Sequence, residues 1–195
     1  ALPKHYEGVL RDYQVQGYQW LKLMNHYHFG AILADDMGLG KTLQVIALLE
    51  SEKGHGPSLV VAPSSLLYNW QEEIAKFSHQ LKALTIIGSA AKRAMAIQSI
   101  HAFDVAITYY DYLRRDIALY EDIQFHYAVL DEAQYIKNQK TKNAHSVKAL
   151  QAVHRLALSG TPIENSLAEL WSLFDFLMPG YLYHYRYFAN EYEKP

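Results

Sequence analysis

The chain has 195 residues, half of them hydrophobic, with a formal net charge of −2. That is enough for one domain with a substantial core, and so mild a charge does not by itself point to a nucleic-acid partner. Cysteine is absent, which excludes disulfide frameworks and thiolate metal sites. No apolar run approaches the ~20 residues of a membrane-spanning helix, and no secretory signal opens the chain.

Ala1 to Val9 form a lead-in without strong pattern. From Leu10 onward, Tyr13, Trp20, Leu21, Met24 and Tyr27 recur at helical spacing and predict a helix with Asp12 as N-cap. Gln14 falls in its first turn, where a neutral amide can both donate to and accept from an adenine edge.

Residues 31–42, Ala-Ile-Leu-Ala-Asp-Asp-Met-Gly-Leu-Gly-Lys-Thr, organise the rest. Ile32-Leu33-Ala34 reads as a buried strand, Asp35 to Gly40 as a tight loop, and Leu43 to Leu49 as a helix. Strand, glycine loop, Lys-Thr and helix is the context of a phosphate-binding loop. Amides of Asp36, Met37, Gly38, Leu39 and Gly40 and the positive end of the helix suit an anion. Lys41 can reach the β- and γ-phosphates, and Thr42 can place its hydroxyl on Mg²⁺. Asp35 stands where the general pattern has glycine; Asp is among the few residues that tolerate positive φ.

Further along, strands are predicted at 58–62, 84–87, 104–108, 127–130 and 155–158, and helices at 66–77, 89–100, 109–117, 142–152 and 166–178. Pro63-Ser64-Ser65 ends the first of these strands, with a serine as helix N-cap, able to present hydroxyls and amides to a phosphate. The tract from Glu132 to Glu164 holds no acid between its ends but carries Lys137, Lys140, Lys142, Lys148 and Arg155. These can track phosphates or form a solvated helix face balanced by acids elsewhere. The last aromatic run, Tyr181, Tyr183, Tyr185, Tyr187, Phe188 and Tyr192, reads as packing, in a strand-like edge or a docking tail.

Strands apolar on both faces, alternating with helices, predict an α/β fold with a parallel sheet covered on both sides. Ligands then sit at the carboxyl ends of strands. The phosphate loop, Pro63-Ser64, Thr108, Asp131-Glu132 and Ser159-Gly160-Thr161 all fall there. Asp131 can hold Mg²⁺ opposite Thr42, and Glu132 can orient or deprotonate the attacking water. Gln134 can hydrogen-bond towards Ser159 or Thr161, and Gly160 allows close backbone approach. Other chemistries find little support. His26 and His28 are two apart, no His-Glu-x-x-His occurs, and no G-x-S-x-G elbow occurs.

Together, Leu10-Arg11-Asp12-Tyr13-Gln14, the loop at 34–42, Val61-Ala62-Pro63 with Asn69-Trp70, Ile107 to Asp111, Asp131 to Gln134 and Leu158 to Asn165 resemble the Swi/Snf family of double-stranded-DNA translocases in helicase superfamily two. The match is to the N-terminal RecA-like lobe and runs from Leu10 to about Leu182. Members carry Asp at the position of Asp35. The resemblance implies one RecA-like P-loop domain over 1–195, a three-layer sandwich around a mainly parallel sheet. It implies adenine reading by Gln14, with ATP and Mg²⁺ held by Lys41, Thr42 and Asp131, and Glu132 positioning water. Pro63, Ser64, Ser65 and Thr108 are expected along the phosphates of duplex DNA, without sequence readout. Gln134, Ser159, Gly160 and Thr161 are expected to couple the two sites. Many members have His at the position of Gln134, and the Gln form resembles bacterial relatives. A second RecA-like lobe on the same polypeptide, supplying arginine fingers, is implied and is absent from these residues.

Overall fold

The computed structural model describes residues 1–34, 40–160 and 166–193. Six strands form one sheet: β1 (Ala31–Ala34), β2 (Ser58–Ala62), β3 (Ala83–Thr85), β4 (Val105–Tyr109), β5 (Gln124–Leu130) and β6 (Gln151–Ser159). Their spatial order is β1-β6-β5-β2-β4-β3, and every pairing is parallel.

Parallel strands need crossovers, and helices supply them. The helices are α1 (Asp12–His26), α2 (Lys41–Ser51), α3 (Leu67–Phe77), α4 (Ala90–Gln98), α5 (Tyr110–Asp116), α6 (Lys142–Lys148), α7 (Leu167–Leu177) and α8 (Tyr185–Phe188). Alternation along the strands splits the core into two. Val60, Ile107, Val129 and Leu158 face the layer of α1, α2 and α3. Leu59, Val61, Ala106, Leu130 and Ala157 face α4, α5, α6 and α7. The three-layer α/β sandwich expected from sequence is therefore present.

Helix α2 is buried on every side from Leu43 to Glu50, wedged between α1, α3 and the sheet. Gly17 lets α1 approach it, because a Cβ there would lie 2.0 Å from Gln44 Oε1.

Four expectations need correction. Arg11, not Asp12, is the N-cap of α1, and its buried stripe is Gln14, Tyr18 and Leu21, whereas Trp20 and Tyr27 are exposed. Trp20 and Tyr27 lie off the packing face, which carries Tyr18 instead. No serine caps α3: a 3₁₀ turn at Ser64–Leu66 precedes it, and neither turn nor helix has a side-chain cap. Helix α6 stops at Lys148, and β5 and β6 each begin well before the predicted start, since both are central strands whose polar starts alternate with core residues. The aromatic tail is helical rather than strand-like. It forms α8 and a π-helical turn at Ala189–Glu193, with Phe188 buried and Tyr181, Tyr183, Tyr187 and Tyr192 exposed.

Candidate nucleotide site at the carboxyl edge of the sheet

The carboxyl ends of the strands are brought level by register. Ala34 pairs with Ser159, and Ala62 pairs with Tyr109. One residue past β5, the Asp131 amide donates to the Val61 carbonyl at 2.8 Å. The chain therefore places the ends of β1, β6, β5, β2 and β4 along one edge.

At that edge Gly40, in the left-handed region at φ 72°, turns the chain into α2, a conformation that glycine adopts without a Cβ penalty. Lys41 and Thr42 follow as the first two residues of α2, both half-buried. Gln14 reaches this turn from α1. Its Oε1 accepts from the Arg11 amide at 2.9 Å, and its Nε2 donates to the Gly40 carbonyl at 3.4 Å. The amide expected at an adenine edge thus also braces α1 against the turn. A Cβ at residue 40 would lie 2.2 Å from Gln14 Nε2.

The opposite wall is the end of β5. Asp131 is 8% exposed. Its Oδ2 accepts from Trp70 Nε1 at 2.8 Å, and its Oδ1 from the Glu132 amide at 2.9 Å. The Tyr110 hydroxyl donates to the Asp131 carbonyl at 2.7 Å. Burial raises the Asp131 carboxyl above its usual range. The two hydrogen bonds oppose this, the neighbouring Glu132 charge adds to it, and the Lys41 charge pulls the other way.

Glu132 sits at φ 48°, a left-handed conformation uncommon outside glycine. Such backbone clusters at functional turns. Gln134 Nε2 donates to Glu132 Oε2, and the Ser159 hydroxyl donates to Gln134 Oε1 at 3.5 Å. A polar chain therefore runs from the end of β5 to the end of β6, beside Gly160.

Asp35, Asp36, Met37, Gly38, Leu39 and Thr161 lie outside the described residues.

Of the residues expected along DNA, Ser64 and Ser65 are exposed beside buried Pro63. Thr108 stands near the end of β4. It is fully buried and donates to the Ile86 carbonyl at 3.2 Å, because residue 108 points into the α4–α5 layer. Pro63 and Ser64 instead join Tyr109, Asp111, Tyr112 and Arg115 around a cleft of about 450 Å³. The basic tract divides. Lys148 pairs with Asp175 at 3.3 Å, Lys137 lies 3.9 Å from Glu169, and Arg155 donates to the Leu150 carbonyl at 3.0 Å. Lys140 and Lys142 are exposed.

Sequence reasoning missed Trp70 and Tyr110 as partners of Asp131. A buried indole needs an acceptor for its N–H, and a carboxylate at a neighbouring strand end was the available one.

Among the described residues, no helix is long and apolar enough to cross a membrane.

Residues 13–195 match the SNF2-related domain. The TATA-binding protein-associated factor mot1 of Schizosaccharomyces pombe is 41% identical over 210 residues, covering all of this chain and 11% of that protein. The human TATA-binding protein-associated factor 172 is 42% identical over 211 residues, with the same coverage of each. A solved Sulfolobus solfataricus SWI2/SNF2 ATPase core in complex with dsDNA superposes with a TM-score of 0.84 at 43% identity, over 93% of this chain and 38% of that one. The chain thus spans about a tenth of the length of those two relatives. With the fold, the strand-end residues and these likenesses in agreement, the chain belongs to the SNF2-related domain family.

Proposed function

We propose that this chain is the N-terminal, ATP-binding lobe of an ATP-dependent double-stranded-DNA translocase, working with a second RecA-like lobe on the same polypeptide. The observation that carries the reading is the placement at one sheet edge of Lys41, at the start of α2, and Asp131-Glu132, just past the end of β5.

The amides at the start of α2 point out of the helix towards an anion, and Lys41 adds a charge for the β- and γ-phosphates. By sequence, residues 35–39 belong to the same phosphate loop. Asp131 fits the outer shell of a hydrated Mg²⁺. Each carboxylate oxygen accepts one protein hydrogen bond and keeps lone-pair capacity for a metal-bound water. Thr42 would hold the same ion by its hydroxyl. When bound, Mg²⁺ supplies charge neutralisation on the phosphates. Glu132, held by Gln134, orients the water and takes its proton. Gln14 reads adenine beside Gly40. Gln134, Ser159, Gly160 and Thr161 relay the state of the nucleotide to β6.

Pro63, Ser64 and Ser65 lie along the DNA backbone, contacting phosphates and no base edges. The protein works where DNA is, in the bacterial nucleoid or the eukaryotic nucleus. Arginine fingers from the second lobe contribute about 10³–10⁵ in rate, so this lobe alone turns over almost no ATP.

The test is ATP turnover by the longer protein, with and without duplex DNA, with Glu132→Gln as the inactive control. Stimulation by duplex is expected. A folded two-lobe protein whose turnover ignores DNA overturns the translocase reading, as does strong DNA-stimulated turnover by residues 1–195 alone for the role of the second lobe.

A further inference from the structure

At the amino edge of the sheet, opposite the nucleotide site, four of the ten histidines form one continuous stack. His28 stacks on His154 at 5.6 Å between ring centroids, His154 meets His126 edge-on at 5.0 Å, and His126 stacks on His55 at 5.1 Å. Glu52 lies against the same group. Its Oε2 is 3.0 Å from His126 Nε2, and its Oε1 takes a hydrogen bond from Lys22. One ligand atom from each of Glu52, His55 and His126 lies within 4.8 Å of the others.

We propose that Glu52, His55 and His126 form a binding site for a borderline divalent transition metal, of which Zn²⁺ is the representative. Two imidazoles and a carboxylate are the donor set that Zn²⁺ takes and that Mg²⁺ and Ca²⁺ decline. Tetrahedral bonds of about 2.0–2.1 Å put neighbouring ligand atoms roughly 3.3 Å apart. Glu52 Oε2 and His126 Nε2, 3.0 Å apart, share a hydrogen bond whose proton the metal displaces, and His55 has to close the remainder. It can do so. Its side chain is 63% exposed, on a turn flanked by Gly54 and Gly56 at φ 96° and 114° with open space around both.

A Lys22–Glu52–His126 network serving the fold alone explains the buried partners. It does not require the exposed His55 imidazole, which meets the Glu52 carbonyl through Nδ1 at 2.9 Å, to stack on the buried one as well. The position adds a consequence. Glu52 caps the far end of α2, whose first residue is Lys41, and His126 lies on β5, which leads to Asp131. A metal here ties together the two elements that carry the two walls of the nucleotide site. Metal binding itself does not depend on the proposed function.

The test is titration of the chelator-stripped 195-residue chain with Zn²⁺, without Mg²⁺ or nucleotide, by calorimetry, and with Co²⁺ by its visible d–d absorption. One equivalent is expected, with the melting temperature rising on addition. Removing the exposed ligand in His55→Ala is expected to lower affinity at least about tenfold without unfolding the chain. His101→Ala, at an exposed histidine elsewhere, leaves it unchanged. Lys22→Met frees a Glu52 oxygen of a competing cation and tightens binding. Absence of saturable 1:1 binding, or equal affinity in wild type and His55→Ala, overturns the site. Weaker binding in Lys22→Met overturns Glu52 as a ligand.

Discussion

Trp70→Phe isolates the bond that positions the acidic wall of the site. Trp70 is fully buried, and its Nε1–H is one of two protein donors to a carboxylate that is 8% exposed. Losing a hydrogen bond to a buried charged group costs about 1.5–3 kcal/mol. Indole to phenyl also removes roughly three buried heavy atoms, worth about 2 kcal/mol by the usual area scaling. The total, about 4 kcal/mol, is a large part of the 5–15 kcal/mol typical of a domain. The two terms separate in a double-mutant cycle with Asp131→Ala, followed by urea unfolding. The packing loss is common to both backgrounds, whereas the hydrogen bond exists only with Asp131. The cycle should return a coupling of about 1.5–3 kcal/mol. Removing the donor also pushes the Asp131 carboxyl further up, so Mg²⁺-dependent nucleotide affinity falls more than Mg²⁺-independent affinity. A coupling below about 0.5 kcal/mol refutes the claim that Trp70 holds Asp131.

Two further outcomes follow from buried polar groups. Burial first, then the neighbouring His126 and His28, lower His154 to about 4. Because the folded value lies below the unfolded one, its contribution is fully present above about pH 6.5 and is lost as pH falls towards 4. In chelator, acidification from pH 7 to pH 5 should cost about 2 kcal/mol through this group, and His154→Gln should flatten the melting-temperature profile over that range; an unchanged profile contradicts the assignment. Gln44 is fully buried, and among the described residues neither its Oε1 nor its Nε2 has a partner. Gln44→Leu removes the desolvation cost and should leave stability unchanged or raise it by up to about 1 kcal/mol. A loss above about 2 kcal/mol in urea unfolding shows instead that the amide is satisfied.

The fold was legible because the central strands β2, β4 and β5 are apolar on both faces, and only a parallel, doubly covered sheet accounts for Val60 and Val61, or Val129 and Leu130, being buried on opposite sides. The site was legible because parallel register carries Ala34, Ala62, Asp131 and Ser159 to one edge, so glycine, lysine and carboxylate spacing in sequence became proximity. What escaped depends on orientation about an axis. The choice between Tyr18 and Trp20 on α1 is a rotation of two residues, which aromatic content cannot decide when one aromatic stripe packs and its neighbour faces solvent. Thr108 stands at a strand end, but its side chain points inward, a parity that motif position does not encode. Trp70 and Asp131 are 2.8 Å apart in space and on different elements; their bond follows only once β2 and β5 are known to be neighbours. The histidine stack joins His28, His55, His126 and His154 from four separate stretches, so no spacing rule could have found it.

The central claim is that the two walls at the carboxyl edge form one nucleotide site, and equilibrium binding of a fluorescent ATP analogue to this chain with Mg²⁺ tests it most directly. Saturable binding is predicted, weakened at least about tenfold by Lys41→Ala, the loss of one charged phosphate contact. Asp131→Ala is predicted to abolish the Mg²⁺ dependence while the chain remains folded by circular dichroism. Binding that is indifferent to both substitutions contradicts the account.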